Sequence, residues 1–359
     1  MSYRQLLSKL GRGSHVVKNK YGQEIVTKPV PDNGDFDGDF DPRVLINAEN
    51  LAKSGSPFQT EGEPSIENLR SLMGWDNDDI THGRICGVEK QIPTVNGTVR
   101  ALVYGMEDGK AKPCIVFFHG GGFFGGSLKC VENPCKAIAL YADAVVASVE
   151  YALAPEHPFP AGFNDCFDTV KYVYEHPEEF GVDKNKLGVC GDSAGANLAT
   201  VCAVRDRDEK SNMIRYQALI YPPVNVAILE NDEYEWNLDE YNVRTHTELL
   251  QNAIMAIGSN SDLLVNVYLS GDRSKGLNPS VSPIFADLKG VPPTLIINAE
   301  YDYLRLEGEA YGRKLAKAGV SVTNIRYCGV DHAFMDKIGQ YPQAEDCMRE
   351  VANHFLAAL

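Results

Sequence analysis

The chain has 359 residues, of which 44% are hydrophobic and 23% are charged, a balance typical of globular proteins that excludes disorder as its general state. Its 34 basic and 49 acidic residues give a formal net charge of −15, which disfavours nucleic acid and membrane surfaces as partners and favours neutral or cationic small molecules. No apolar run approaches the roughly 18–20 residues of a membrane span, and the charged N-terminal segment lacks the apolar core of a signal peptide. The sequence therefore predicts a cytoplasmic protein.

Two contrasting regions appear along the chain. The first eighty residues are polar and interrupted, with short helices predicted at Tyr3–Leu10, Val44–Lys53 and Ser65–Leu72. From residue 98 onward, short apolar runs alternate with helical stretches. Strands are predicted at Val99–Tyr104, Cys114–Phe118, Ala144–Glu150, Leu187–Cys190, Tyr216–Tyr221, Thr294–Asn298 and Val322–Tyr327, and helices at 131–142, 162–177, 195–204, 305–318 and 342–357. This alternation predicts an α/β fold with a mostly parallel sheet between helices.

The stretch 223–290 interrupts the alternation of strands and helices. It is acidic, contains the aromatic residues Tyr234, Trp236 and Tyr241, and has no clear buried strand. We interpret it as an insertion over one end of the sheet. Because functional sites of parallel sheets lie at the carboxyl ends of the strands, the loops that follow the strands are expected to carry the chemistry.

The nine cysteines are scattered along the chain without C-x-x-C pairs. Zinc-binding and thioredoxin patterns are therefore absent from the sequence. Most of the cysteines lie in apolar surroundings, which predicts reduced thiols in the core and no metal site.

The segment Gly191–Gly195 reads GDSAG, between the apolar run LGVC and the helix-forming ANLATVCAV. A G-x-S-x-G pattern in this context is typical of a sharp strand-to-helix turn that lifts the serine hydroxyl above a sheet. Glycines flank the serine because side chains there would collide in the strained turn. Ser193 is therefore a candidate nucleophile, and a Gly-rich turn without chemistry is the alternative.

A second glycine-rich segment, His119–Gly122, directly follows the predicted buried strand CIVFF. Successive glycines let backbone N–H groups approach a developing anion. A flexible loop or a phosphate-binding loop is the alternative, but the segment lacks the Lys-Ser/Thr of a P-loop and the spacing of a dinucleotide-binding turn. We interpret it as an oxyanion-binding loop.

A serine nucleophile needs a base, and the base needs an acid that orients it. In the expected order both follow the serine along the chain. His246 lies in the atypical insertion and His354 in the periodic C-terminal helix, whereas His332 follows a predicted strand on a short loop. The preceding strand, in TLIINAEYD, offers Glu300 and Asp302. His332 and Asp302 are the preferred pair, with Glu300 as the alternative acid.

These motifs resemble those of the hormone-sensitive-lipase-like family of α/β-hydrolases, which includes many microbial carboxylesterases. The resemblance covers roughly residues 85–359 and rests on HGGG at 119–122, YALAPEHPFPA at 151–161, GDSAG at 191–195, SPIFADLKGVPP at 282–293, AEYDYLRLEGEAY at 299–311 and the DHAF that contains His332. The chain departs from the family at Tyr303, which is usually Pro, at Leu306, which is usually acidic, and at Ala196, which is usually Gly.

The resemblance implies an α/β-hydrolase fold, with a mostly parallel central sheet flanked by helices and a helical cap. It implies that residues 1–80 form the N-terminal part of the cap and that residues 81–359 form the catalytic domain, with a cap insertion at about 223–280. The site residues that it implies are Ser193, Asp302 and His332 for a catalytic triad and the backbone N–H groups of Gly121, Gly122 and Ala194 for an oxyanion hole. It implies no cofactor and no metal.

The implied activity is that of a serine carboxylesterase, which hydrolyses short- to medium-chain neutral carboxylic esters through an acyl-enzyme. An amidase or formamidase with the same triad is one alternative. A non-catalytic small-molecule receptor on the same fold is another, although the plant gibberellin receptor lacks the catalytic histidine and this chain has every triad residue. Because relatives with a cap often dimerise, a homodimer is one oligomeric state open to this chain. The sequence leaves the natural ester unspecified.

Overall fold

The computed structural model describes residues 1–32, 34–54, 65–107, 109–258 and 261–359. Parts of both predicted cap segments, namely Asn33, residues 55–64 and residues 259–260, lie outside the described residues. So does Asp108.

Ten strands of the described chain form a single sheet. They are β1 (His15–Lys18), β2 (Glu24–Lys28), β3 (Gly87–Thr94), β4 (Gly97–Tyr104), β5 (Lys112–Phe118), β6 (Val145–Val149), β7 (Val182–Asp192), β8 (Ile214–Ile220), β9 (Thr294–Tyr301) and β10 (Val322–Asp331). Their order across the sheet is β1-β2-β10-β9-β8-β7-β5-β6-β4-β3. The pairs from β2 to β6 are parallel, whereas β3, β4 and the β1–β2 hairpin pair antiparallel. The predicted α/β-hydrolase fold with a mostly parallel sheet is confirmed.

Eleven helices are present in the same described ranges. They are α1 (Tyr3–Gly13), α2 (Pro42–Ser54), α3 (Ile66–Ser71), α4 (Glu132–Ala142), α5 (Ala161–Glu175), α6 (Pro177–Phe180), α7 (Ala194–Asp208), α8 (Thr247–Gly258), α9 (Ser261–Tyr268), α10 (Arg305–Lys317) and α11 (Pro342–Ala358). Helices α1, α4 and α11 pack on one face of the sheet, and α5, α7 and α10 pack on the other. None of these helices is long and apolar enough to cross a membrane.

The central strands are apolar on both alternations because each of their faces meets a separate core. In β5, Cys114, Val116 and Phe118 contribute to the core under α5, α7 and α10. The intervening residues Ile115 and Phe117 contribute to the core under α4 and α11. All five side chains are fully buried. Two-sided burial is the pattern expected of a parallel sheet enclosed by helices.

The N-terminal segment contributes to the sheet, which the sequence did not predict. Helix α1 packs against α11, and β2 pairs in parallel with β10 through Val26, Thr27 and Lys28. Residues 3–28 are thus part of the main body of the fold, in contrast to the prediction that residues 1–80 form a cap. The signal was missed because β1 and β2 have only four and five residues.

The stretch between β8 and β9 has the irregular character that the sequence predicted. Among its described residues there are two helices, α8 and α9, and several 3₁₀ turns, but no strand. Helix α8 contacts β9 and also α2, the helix from the N-terminal region. The two polar regions of the chain therefore meet beside the strand that precedes Asp302.

Candidate active site

A sharp turn between β7 and α7 carries Ser193. The serine has φ 49° and ψ −123°, a conformation that L-residues rarely adopt and that is maintained only when the surroundings enforce it. A Cβ atom on Gly195 would overlap the carbonyl oxygen of Phe118, and one on Gly191 would overlap the backbone of Gly195. The backbone N–H of Ser193 donates to the carbonyl oxygen of Ile220 at 2.9 Å, which ties the turn to β8.

His332 contacts this serine from the loop that follows β10. Its Nε2 lies 3.0 Å from Oγ of Ser193, and its Nδ1 lies 2.7 Å from Oδ2 of Asp302. The ring of Tyr221 packs against the imidazole with a centroid distance of 4.6 Å. The three residues that the sequence predicted as a triad are thus brought together in a hydrogen-bonded series.

Asp302 is held in place by hydrogen bonds from Leu304 and Tyr241. Its side chain is fully buried, and its second carboxylate oxygen accepts the backbone N–H of Leu304 at 2.9 Å. The hydroxyl of Tyr241 donates to the backbone carbonyl of Asp302 at 2.8 Å. The alternative acid, Glu300, instead accepts the N–H of Gly329 at 2.8 Å.

The other two histidines that follow Ser193 lie elsewhere. His246 is hydrogen-bonded through Nδ1 to the carboxylate of Asp39, at 2.9 and 3.0 Å. His354 lies on α11, 3.6 Å from the carboxylate of Glu350. Neither contacts the serine, as the sequence analysis predicted.

The electrostatics around His332 favour its protonated form. Burial by itself lowers the pKa of the imidazole, but the negative charges of Asp302, Asp192 and Asp331 outweigh that effect and raise the pKa above 6.5. An imidazolium formed during a reaction is therefore stabilised at this position.

The glycine loop after β5 lies next to the serine turn. Gly121 has φ 123° and Gly122 has φ 61°, and a Cβ atom on Gly121 would overlap the backbone of Gly125. The N–H groups of both residues donate to no other group in the described part of the chain. Ala194 is the first residue of α7, where helix geometry also leaves the N–H without an intrahelical acceptor. These are the three groups that the sequence predicted as an oxyanion hole.

Asp192, which the sequence analysis did not assign, connects the two glycine-containing turns. Its Oδ1 accepts the N–H of Gly120 at 2.8 Å. Burial raises the pKa of Asp192 to about 6, while this N–H and the charge of His332 act to lower it. The carboxyl of Asp336, whose pKa is also raised by burial and by Asp192, faces the same region. In the sequence, the only signal for this role was the position of Asp192 directly before the serine.

Residues from both polar regions lie over the glycine loop. Arg70 of α3 donates from Nε to the carbonyl oxygen of Phe124 at 2.5 Å and from Nη2 to that of Ala154 at 2.8 Å. A Cβ atom on Gly122 would lie 2.8 Å from the ring of Phe124 and 3.4 Å from Cδ2 of Leu264 on α9. Helices α3 and α9 therefore border the loop, and their side chains were not predicted as part of the site.

Among the described residues, no group of three or more His, Cys, Asp and Glu side chains is arranged so that it could hold a metal ion. The polar groups around Ser193 are instead suited to proton transfer between a hydroxyl and an imidazole and to binding of an oxyanion by backbone N–H groups.

Comparison with known proteins gives consistent matches. A family model described as the alpha/beta hydrolase fold matches residues 115–336. Esterase LipI of Mycobacterium tuberculosis is 31% identical over 306 residues, which cover 84% of this chain and 90% of LipI. Carboxylesterase NlhH of the same organism is 36% identical over 214 residues, which cover 58% of this chain and 62% of NlhH. The structure of an esterase from the archaeon Pyrobaculum calidifontis is 33% identical, with a TM-score of 0.71 over 89% of this chain and 100% of that chain.

Proposed function

The chain belongs to the hormone-sensitive-lipase-like family of α/β-hydrolases and is a serine ester hydrolase, and from this premise we propose that Ser193 attacks short- to medium-chain neutral carboxylic esters. The observation that carries the proposal is the series of two hydrogen bonds that joins Ser193, His332 and Asp302, at 3.0 and 2.7 Å. A hydroxyl becomes an effective nucleophile when an oriented base removes its proton during attack.

In the proposed first step, Nε2 of His332 takes the proton of Ser193 as Oγ bonds to the acyl carbon. Asp302 holds the proton on Nδ1 and stabilises the imidazolium. The imidazolium then gives its proton to the leaving alcohol oxygen as the ester C–O bond breaks, which leaves an acyl-serine. Water, deprotonated by the same imidazole, then attacks the acyl carbon. The bond between the acyl carbon and Oγ breaks, the imidazolium returns its proton to Oγ of Ser193, and the carboxylic acid is released.

The proposed oxyanion hole consists of the backbone N–H groups of Gly121, Gly122 and Ala194. Each attack places a negative charge on the former carbonyl oxygen, and pre-oriented N–H donors stabilise that charge without reorganisation. Ala194 adds the positive end of the α7 dipole. Asp192 supports the arrangement because it fixes Gly120, which directly precedes the two glycines of the hole.

The apolar side chains beside the glycine loop support the proposal that the acyl group of the substrate is neutral and of limited length. Phe124 and Leu264 lie against the position of Gly122, and Phe123 stacks on Tyr268 with a centroid distance of 4.0 Å. A Cβ atom on Gly125 would lie within 3.1 Å of the methyl group of Met73. We infer that α3 and α9 are parts of the cap and close the acyl side of the site.

A cytoplasmic location remains our proposal. All nine cysteines are free in the structure, and six of them are buried. Unpaired buried thiols are typical of proteins in a reducing compartment.

The experiment that tests the proposal is hydrolysis of p-nitrophenyl esters from acetate to palmitate by the wild type and by Ser193→Ala. We expect turnover to peak between acyl chains of two and six carbons and to be lost in Ser193→Ala, with the unfolding midpoint unchanged. Ser211→Ala, which removes an exposed hydroxyl at the opposite end of α7, is the matched control and should retain full activity.

Three outcomes would contradict the proposal. Hydrolysis undiminished in Ser193→Ala would reject the nucleophile, and a peak beyond ten carbons would reject the short acyl pocket. Faster cleavage of a p-nitroanilide than of the matched p-nitrophenyl ester would favour an amidase. Labelling of the wild type by a fluorophosphonate, tested in parallel, reports the nucleophile independently of substrate choice.

A further inference from the structure

A cleft that contains no residue of the proposed triad lies between the β1–β2 hairpin, helix α10 and the segment with Tyr234 and Glu240. Its volume is about 180 Å³. Pockets for drug-sized ligands begin at roughly 300 Å³. Any ligand of this cleft is therefore a small one.

Two guanidinium groups in the cleft share one carboxylate. Glu309 accepts from Nε and Nη2 of Arg326 at 2.8 and 2.5 Å, and the same oxygen lies 3.7 Å from Nη1 of Arg305. Glu300 also acts electrostatically on both arginines, but its carboxylate accepts the N–H of Gly329 and burial raises its pKa. Glu309 therefore contacts Arg326 directly, whereas Glu300 acts on both guanidiniums at longer range.

A third guanidinium, that of Arg313, has no carboxylate within 4.0 Å in the described parts of the chain. It donates to the backbone carbonyl of Glu233 at 2.6 Å and stacks on the ring of Tyr21 at 3.9 Å. Burial lowers the pKa of Arg313. The carboxylates of Glu233 and Glu309 act on this buried guanidinium electrostatically without contacting it, and an anion in the cleft would give it a direct partner.

Arg305 presents a buried donor that has no acceptor. The residue is 4% exposed, its Nη2 donates to the carbonyl of Glu240 at 2.8 Å, and its guanidinium stacks on the ring of Tyr241 at 4.3 Å. Its Nε–H makes no hydrogen bond to any described residue. Buried N–H groups are almost always hydrogen-bonded, so an unpaired one in the wall of a cleft indicates an absent partner.

The charge of the cleft is opposite to that of the molecule. Its lining contains five cationic side chains and three anionic ones: Lys18, Lys20, Arg305, Arg313 and Arg326 against Glu235, Glu240 and Glu309. Lys20 is paired with Glu240, and Lys18 lies 4.0 Å from Glu24. The lining side chains thus carry a formal excess of two positive charges, in a chain with a net charge of −15.

We propose that this cleft is a binding site for a small phosphate-class oxyanion, held by Arg305, Arg313 and Arg326. Guanidinium groups bind phosphate through paired, charge-assisted N–H···O hydrogen bonds. A tetrahedral phosphate has enough oxygen atoms to engage three guanidiniums at once, whereas a single carboxylate, as Glu309 shows, serves two. The site is additional to the ester-hydrolysing site and does not depend on it.

The test is thermal unfolding of the whole chain in increasing inorganic phosphate, with ionic strength held constant by NaCl. A ligand that binds only the folded state raises the unfolding midpoint in a saturable way. We expect a saturable rise of the unfolding midpoint for the wild type and for Arg215→Gln. The latter is the matched control, because it removes an exposed arginine on β8. In Arg313→Gln the apparent affinity for phosphate should fall roughly tenfold or more, and Arg313→Lys should be intermediate.

Glu309→Gln is a second variant, with an effect of opposite sign. It removes the carboxylate that competes for two of the guanidiniums, so phosphate should raise its unfolding midpoint more than that of the wild type. A wild-type response equal to that of NaCl alone, or an unchanged response in Arg313→Gln, would overturn the proposal. Succinate binding as tightly as phosphate would overturn the assignment of the ligand class.

Discussion

At the scale of single residues, His332 determines how the proposed reaction depends on pH. Burial alone lowers its pKa, but Asp302, Asp192 and Asp331 together raise it above the ordinary 6.5. A base must be neutral to accept a proton, so a fall in pH through this raised pKa stops the attack by Ser193. We expect kcat/KM for p-nitrophenyl butyrate, measured from pH 5 to 9, to fall on the acid side with a midpoint above about 6.5.

The variants of the two neighbouring acids make this prediction specific. Asp302→Asn removes the strongest charge that raises the pKa of His332, so the acid limb should move to lower pH and kcat should fall by about four orders of magnitude, as in serine proteases. Glu300→Gln is the control, because that carboxyl contacts Gly329 instead of the imidazole. A rate independent of pH between 5 and 8, or equal losses in both variants, would contradict the role of His332.

Glycine is required at position 195 because two backbone segments approach each other there too closely for a side chain. A Cβ atom there would overlap the carbonyl oxygen of Phe118 at the end of β5, and overpacking of this kind typically costs about 1–3 kcal/mol. We expect Gly195→Ala to lower the unfolding midpoint and to reduce activity, because the displaced backbone carries both Ser193 and the proposed oxyanion hole. Gly11→Ala is the control, since nothing lies within 4 Å of that site in α1 and the change should stabilise the helix by about 0.5–1 kcal/mol. Equal effects of the two substitutions would show that the close approach is unimportant.

At the scale of secondary-structure elements, Arg70 joins α3 to the main body of the fold. It donates to the carbonyls of Phe124 and Ala154 and pairs with Glu156 at 2.6 Å. The ion pair is largely exposed and therefore contributes little, so the two hydrogen bonds to the backbone dominate. They hold α3 over the loop that carries Gly121 and Gly122.

We therefore expect Arg70→Gln to loosen α3 and to raise KM for p-nitrophenyl butyrate more than it lowers kcat. Loss of charge-assisted hydrogen bonds of about 1.5–3 kcal/mol corresponds to roughly a tenfold or greater loss in kcat/KM. Arg4→Gln on the exposed side of α1 removes the same charge elsewhere and should behave as the wild type. If kcat fell while KM stayed constant, α3 would act on the reacting groups and would not serve as a cover.

The elements that sequence reasoning found differ physically from those that it missed. The strands β5 and β9 are buried on both faces. The apolar runs that result can be recognised in the sequence without knowledge of the neighbouring strands. The edge strand β3 has one buried residue, Ile92, so its sequence shows no buried apolar run. Strands β1 and β2 are short, and β2 joins the main sheet through β10, which is distant in sequence. The turns around Ser193 and Gly121 were predicted because their glycine patterns indicate positions where a side chain would collide with the nearby backbone.

Contacts that orient the site could not be predicted in the same way. Tyr241 reaches the carbonyl of Asp302 from 61 residues away, and Asp192 reaches Gly120 from 72 residues away. Nothing in the local sequence of these residues distinguishes them from other buried polar groups. The choice between Glu300 and Asp302 likewise depends on which carboxyl meets His332, and that is set by the pairing of β9 with β10.

At the scale of the whole molecule, a net charge of −15 creates a field that any substrate must cross. Charge on this scale repels anions and attracts cations over about 10 Å at 0.1 M salt, and over shorter distances as salt rises. Neutral esters are insensitive to this field, whereas anionic esters are not.

Comparison of two esters of similar size tests the effect of this field. For neutral p-nitrophenyl butyrate we expect kcat/KM to change less than about twofold between 10 and 500 mM NaCl, because an uncharged molecule is not steered. For anionic p-nitrophenyl hemisuccinate, kcat/KM should be lower at 10 mM and should rise several-fold as salt screens the repulsion. Because Asp192 and the triad are the same in both measurements, a difference between the two esters in the salt dependence of kcat/KM reports on the approach of the substrate. An anionic ester that is preferred at low salt, and loses that preference as salt rises, would indicate a cationic entrance and would contradict the proposed preference for neutral esters.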